Sequence, residues 1–291
     1  MSRDRPSLSD LRRDIDDIDD AMHDLLMRRA AVAERIRMVK QEAGAGVFRP
    51  GREAEILRRL AARHAGALPR GVVIRIWREL ISAFIGLQGP FAVAAWDGGE
   101  AACVDLARDH FGSVTPLTRH RSTRGVLRAV AEGAATVGVL PLPQEGEPDP
   151  WWPALAGGES RVRICVRLPF VAGGAARGDH PGALVVSGGE PEPSGADRTL
   201  LLIECGEAPS RGRLTDALGK VGLAPLFIAG GPDSGLPSVA PLYLVELAGF
   251  LAPGEPRIAS FVDAAPGVLS ARIVGAYAEQ LGAAPPAGEQ A

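Results

Sequence analysis

Arg12, Arg29, Lys40 and Arg52 are cations on or beside apolar faces of the first ninety residues, and Glu53 and Gln88 are the carboxylate and amide that accompany them. Leu8, Leu11, Ile15, Ile18, Met22 and Leu25 recur at spacings of three and four. Val32, Ile36 and Val39 resume the series after Arg29 interrupts it. A stripe this regular is one face of a long helix that packs along its length. A guanidinium in that seam needs an anion, because an unpaired buried charge is costly. The competing reading is a polar seam position that only sets register. Arg29 and Lys40 are eleven residues apart, close to three turns, so they point the same way about 16 Å apart along the axis. Arg12 precedes Arg29 by about 25 Å. It cannot share a small ligand with Arg29 of its own chain, but it can in an antiparallel pair of chains.

The chemistry open to such a set is narrow. It has fixed donors and one carboxylate, with no nucleophile–base pair and no metal ligands. Arginine forks grip carboxylates through two parallel hydrogen bonds, so a small dicarboxylate is the expected ligand. A reaction that needs no acid, base or nucleophile is a rearrangement. It is driven by holding one conformer and by stabilising charge that develops as a bond stretches. No cofactor or metal is expected. His23, His64, His110, His120 and His180 form no spaced cluster.

The elements that must position these residues follow from composition. Residues 1–90 hold 7 of the 36 glycines and 4 of the 24 prolines, so the first part reads as helical and the rest as loop-rich with short strands. Gly89-Pro90 is the boundary. One helix is expected from about Ser7 to Glu42, opened by Ser7 or Ser9 and closed by Gly44 and Gly46. A second should follow Pro50 to about His64, with Ile56, Leu57 and Leu60 on one face. A third should follow Pro69 to about Gln88, with Val73, Ile76, Trp77, Leu80, Ile81 and Phe84 inward. The long helix cannot bury its seam on two short neighbours, so pairing with a second copy is expected. The 291 residues are 46% hydrophobic and 23% charged with net charge −3, which gives no basic field for nucleic acid or membrane. Three distant cysteines (Cys103, Cys165, Cys205) and the lack of an apolar leader make a cytoplasmic protein the expectation.

The segment 7–88 resembles the all-helical chorismate mutases, the family fused to prephenate dehydratase in bifunctional enzymes. The residues that carry the resemblance are Leu11-Arg12 with Ile15 and Asp19, then Arg28-Arg29, Lys40, Arg52-Glu53, Ile76-Trp77-Arg78-Glu79 and Gln88. The resemblance implies an intertwined homodimer with two shared sites, chorismate as substrate and prephenate as product. Arg12 of one chain and Arg29 of the other would hold the carboxylates. Lys40 and Gln88 would flank the ether oxygen, Glu53 would accept from the ring hydroxyl, and Arg52 would support a carboxylate or Glu53. Two residues depart from the family pattern. Arg49 replaces an aspartate and would add positive charge to the pocket rim. Phe84 replaces a small hydroxyl residue and would narrow the pocket.

Beyond Gly89 the chain resembles a shortened prephenate dehydratase. Strand Phe91–Ala95, a helix from Ala101 to His110, Ala129-Val-Ala-Glu-Gly133, the run Val137–Pro141 and strand Arg163–Pro169 match its first lobe. Pro143-Gln144 stands where that family has Glu-Asn, and Pro181-Gly182-Ala183 stands where it has a catalytic Thr-Arg-Phe. With most of a second lobe missing as well, dehydratase chemistry is not expected. Segments Leu200–Glu204, Gly212–Leu218, Leu226–Ile228, Leu242–Leu247, Arg257–Ala265 and Ala271–Val274 read as βαββαβ and resemble an ACT-type ligand-sensing unit. Gly275-Ala-Tyr277 ends that unit and Gly212-Arg-Leu214 resembles its effector-site motif. Ala229-Gly-Gly-Pro232 replaces the family's phenylalanine-responsive motif, so an aromatic amino acid effector is only one alternative beside a plain packing unit. The expected fold is therefore multidomain. An all-α domain spans 1–90, a dehydratase-like α/β region 91–196, an ACT-like α+β domain 197–281 and a frayed tail 282–291. Three rival readings stay open: a non-catalytic regulator that binds chorismate, prephenate or an aromatic amino acid; an isochorismate pyruvate-lyase on the same helices; and a plain helical dimerisation module.

Overall fold

The computed structural model describes residues 6–43, 46–99, 103–147, 149–157, 161–171, 182–230 and 240–282. Several expectations fall outside them: the helix stop at Gly44, the helix start at Ala101, Pro181, the 231–232 part of the replaced motif, and the tail beyond 282.

Three helices come first: α1 (Leu8–Ala43), α2 (Pro50–Arg63) and α3 (Arg70–Gln88). Ser7 caps α1 reciprocally: its Oγ accepts from the Asp10 amide at 3.2 Å, and the Asp10 carboxylate accepts from the Ser7 amide at 3.1 Å. This satisfies donors that the first turn leaves unpaired. Pro50 opens α2 from inside, where its missing N–H costs nothing.

The remaining elements build one sheet with helices on its faces. They are β1 (Val93–Trp96), α4 (Cys103–Phe111), β2 (Leu117–His120), α5 (Thr123–Ala131), β3 (Val137–Pro141), a 3-10 turn (Trp152–Ala156), β4 (Arg163–Leu168), β5 (Ala183–Ser187), β6 (Asp197–Cys205), α6 (Arg211–Lys220), β7 (Pro225–Gly230), β8 (Leu242–Ala248), α7 (Pro256–Ala264) and β9 (Val268–Ala278). The strand order is β2-β1-β3-β5-β4-β9-β6-β8-β7. β1 lies parallel to β2 and β3, and β5 turns the direction by pairing antiparallel with β3 and β4. The last four strands pair antiparallel in the order β9-β6-β8-β7, the ferredoxin-like βαββαβ arrangement.

The sheet runs unbroken across position 196. β4 pairs with β9 in parallel at Ile164 and Gly275. A Cβ on Gly275 would collide with the Ile164 backbone, so glycine is what lets the two strands close up. β2 and the 3-10 turn have no counterpart in the sequence reading. β2 is a short polar edge strand (Leu-Thr-Arg-His) without apolar alternation, and only its pairing with β1 defines it.

Helices α2 and α3 dock on the sheet through a core that includes Leu57, Ile74, Ile81, Ile85, Phe91, Val93, Phe111 and Val166. The buried face of α3 is Ile74, Arg78, Ile81, Ser82, Phe84 and Ile85. This corrects the expected face: Ile76 is exposed, while Val73, Trp77 and Leu80 are half-buried. The helix is covered on two sides, by α1 and by the sheet domain, so a single stripe does not describe it. α2 is held down on the link between β5 and β6. Arg58 donates to the carbonyls of Ser194, Ala196 and Glu279, and the backbone of Gly51 lies close against Glu192 and Pro193.

Candidate active site

α1 presents its apolar stripe to solvent. Leu8, Leu11, Ile15, Ile18, Met22, Leu25, Val32, Ile36 and Val39 are each between 41% and 66% exposed. Its neighbour in the chain is α3. Arg29 sits in the middle of the stripe and is half-buried, with its guanidinium 4.1 Å from the centre of the Phe84 ring. Burial lowers its pKa. Among the described residues no carboxylate lies within ion-pair distance of it. The aromatic face offers a cation about 0.5–2 kcal/mol, far less than full hydration or a bidentate carboxylate. The guanidinium is therefore oriented and partly dehydrated, with its hydrogen-bonding capacity unspent.

Lys40, three turns further along α1, is also half-buried. Its ammonium donates to the Val47 carbonyl at 3.3 Å. Burial, then the nearby Arg49 charge, lowers its pKa, against a smaller pull from Glu192 and Glu53. Gln88 closes α3 and turns its amide nitrogen back on the Phe84 carbonyl at 3.1 Å. Phe84 thus touches two of the expected site residues, Arg29 through its ring and Gln88 through its carbonyl. The ring is buried, at 8% exposure, and lies against the Arg29 guanidinium.

Three residues are placed differently from expectation. Glu53 is buried and accepts from Arg78 Nη1 at 2.9 Å, with both side chains under a tenth exposed. It serves a cation on α3 rather than standing open to a ligand's hydroxyl, because a fully buried carboxylate requires a counter-charge. Burial raises the Glu53 pKa and lowers that of Arg78, so desolvation outweighs their attraction. Arg52 points outward and pairs with Glu55 at 2.8 Å instead of supporting Glu53. Its position one residue before a buried Glu53 places it on the exposed side of α2. Arg49 does not add free charge to a rim: it grips Glu192 with contacts of 2.9–3.2 Å and ties the start of α2 to the link before β6. Arg12 is exposed on α1.

Sequence reasoning gave no role to Arg78, although it lies in the quoted Ile76–Glu79 string. The available signal was a charge at α-helical spacing (74, 78, 81, 85) inside an apolar face. His110 packs beside the pair, fully buried, and burial followed by the Arg78 charge holds its pKa well below the ordinary histidine range. The cysteines are free and buried, with thiols pushed up to about 12, 12 and 11 for Cys103, Cys165 and Cys205, so none is a nucleophile at neutral pH. No helix among the described residues is long and apolar enough to cross a membrane.

Residues 11–89 match the family Chorismate mutase type II. The chain is 33% identical over 150 residues to the bifunctional chorismate mutase/prephenate dehydratase of Pseudomonas aeruginosa, a match covering 50% of this chain and 41% of that one. It is 31% identical over 139 residues to the protein of the same description from Aquifex aeolicus, covering 46% and 38%. The match thus spans about two fifths of the length of these curated relatives. Among solved structures, the prephenate dehydratase from Streptococcus mutans gives a TM-score of 0.46 at 12% identity, covering 66% of this chain and all of that one. Arg12, Arg29, Lys40, Arg52-Glu53 and Gln88, on or at the ends of three helices, all lie within residues 11–89, the segment that matches the type II chorismate mutase family.

Proposed function

We propose that the chain is a chorismate mutase that works as a homodimer and converts chorismate to prephenate without a cofactor. The observation that carries this is Arg29, a half-buried guanidinium with an aromatic ring beneath it and no ion-pair partner among the described residues. Its setting supports capture of a ligand carboxylate, with Arg12 of a second chain on the other carboxylate. The exposed stripe on α1 supports that second copy, since nine large apolar side chains on one helix face need cover. Lys40 and Gln88 would stabilise the ether oxygen as its bond to carbon breaks. For Gln88 this requires exchanging the bond to the Phe84 carbonyl for one to the substrate. Glu53 is not part of this proposal; it secures α2 to α3 through Arg78. The rest of the chain is read as a dehydratase-like region without dehydratase turnover, followed by an ACT-like unit. The replaced Thr-Arg-Phe and the short second lobe support that reading.

The deciding experiment is to incubate the purified chain with chorismate and identify the product before and after acid. Prephenate that becomes phenylpyruvate only after acid supports a mutase without dehydratase. Phenylpyruvate formed without acid would show that the second half is active. Untouched chorismate, beside an active control enzyme, would favour the non-catalytic regulator.

The pH dependence is a second test. Turnover needs the Lys40 ammonium, and its pKa is lowered from the ordinary lysine value. A lowered lysine pKa means that the folded chain holds this proton less tightly than the unfolded one. The rate should therefore be flat through neutrality and fall on the alkaline side, earlier than a free lysine at about 10.4 would dictate. Lys40→Gln should remove that alkaline limb together with most of the activity. A steep step near pH 7 would contradict the assignment.

A further inference from the structure

We propose that the cavity at the end of β3, where the two parts of the sheet meet, binds a small monocarboxylate with an apolar body. The inference is independent of the mutase reading. The cavity has a volume of about 350 Å³, within the range of ~300–1,000 Å³ in which small-molecule sites fall. Its walls include Leu184, Leu200, Leu244 and Phe227, from strands on both sides of the β4–β9 junction. Arg167, Arg198, Glu246 and Tyr277 make its polar end.

The hydrogen bonds there show which group is spoken for. Glu246 is 7% exposed and accepts from the Tyr277 hydroxyl at 2.8 Å and from Arg198 Nη1 at 3.4 Å. Arg198 also donates Nε to Glu279 at 3.1 Å. Tyr277, Arg198 and Glu246 thus satisfy one another. Arg167 does not share in this equally: its Nη1 is 3.4 Å from the Tyr277 oxygen and 3.9 Å from Glu246. A guanidinium has five donors, and with only these partners among the described residues most of the capacity of Arg167 is left for the cavity it lines. Arg198 is shared between Glu246 and Glu279, so Arg167, which approaches Glu246 only to 3.9 Å, is the cation a ligand carboxylate would engage. Glu246 and Glu279 are both engaged by Arg198, which argues against an ammonium group on the same ligand. A plain aryl or branched-alkyl acid fits better than an amino acid.

Calorimetric titration of the full chain with 3-phenylpropionate, with 3-phenylpropan-1-ol and with L-phenylalanine tests this. The acid should bind, and the alcohol and the amino acid should bind roughly tenfold more weakly or not at all. Arg167→Met, at a side chain one-third exposed, should weaken the acid by a similar factor. Leu226→Asp, at a half-exposed position on the cavity wall, should do the same by placing a like charge near the carboxylate. No binding of the acid at millimolar concentration would overturn the proposal. So would equal affinity for the amino acid, or affinity unmoved by both substitutions.

Discussion

Arg29→Ala is expected to lower kcat/KM for chorismate by on the order of 10²–10³-fold while leaving the fold and the proposed dimer in place. The asymmetry comes from what Arg29 touches. Among the described residues its contact is the Phe84 ring at 4.1 Å, worth about 0.5–2 kcal/mol. Removing the guanidinium loses that contact but also relieves the dehydration that lowers its pKa, so the two effects nearly offset. A bound carboxylate has no such compensation, because the bidentate partner is gone. Arg29→Lys should fall between wild type and alanine, since an ammonium keeps the charge but not the fork. Steady-state kinetics, thermal unfolding and sedimentation equilibrium on the same preparations give the answer. If the alanine variant keeps its activity, or loses only what its stability loses, Arg29 is a register position and the helical dimerisation reading gains.

Glu53→Gln should behave in the opposite way, costing about 3–5 kcal/mol of stability because it leaves Arg78 buried without a counter-charge. The pair is inside the core, 6% and 9% exposed at its side chains, and one oxygen of Glu53 and Nε of Arg78 have no hydrogen-bond partner among the described residues. Strong attraction at 2.9 Å thus coexists with incomplete satisfaction, the situation in which apolar replacement of both partners is tolerated. Glu53→Leu combined with Arg78→Met should recover most of the loss, a coupling that a double-mutant cycle in chemical denaturation measures directly. An unchanged unfolding midpoint with a collapse of turnover would return Glu53 to the substrate, as the family resemblance implied. In that event Arg78 would need another anion.

The two substitutions separate residues that the sequence alone treats alike. Both are charges inside apolar patterns, and both lie in the family order. What distinguishes them is whether the counter-charge is in the same chain. That depends on α3 being covered on two sides, which the 74-78-81-85 face records only once the sheet is known to lie behind it.

Much of the architecture was legible in advance because it rests on local rules. Ser7 and Pro50 start helices through hydrogen-bond and φ constraints that act within one turn. The run at Val137–Pro141 is a strand because its apolar character leaves it little but a buried sheet, and Leu242–Ala248 is one because its β-branched, aromatic and aliphatic residues outweigh the single Glu246. The βαββαβ order of the last third follows the same way. The seam arginine was also legible, since one charge in a regular stripe is visible without coordinates.

What only the tertiary structure decided is which charges are already paired and where the sheet joins. Arg49, Arg52 and Glu53 are three near-neighbours at the start of α2, and the chain sends them to Glu192, Glu55 and Arg78. One of those partners lies 143 residues away, so spacing cannot reveal it. The fusion of β4 with β9 depends on the absent side chain of Gly275, and the polar strand β2 exists only as a partner of β1. Periodicity reports the direction in which a side chain points. Its partner is set by whatever the rest of the chain brings to that place, and for charges the partner fixes whether the residue holds the fold together or stays free to hold a ligand.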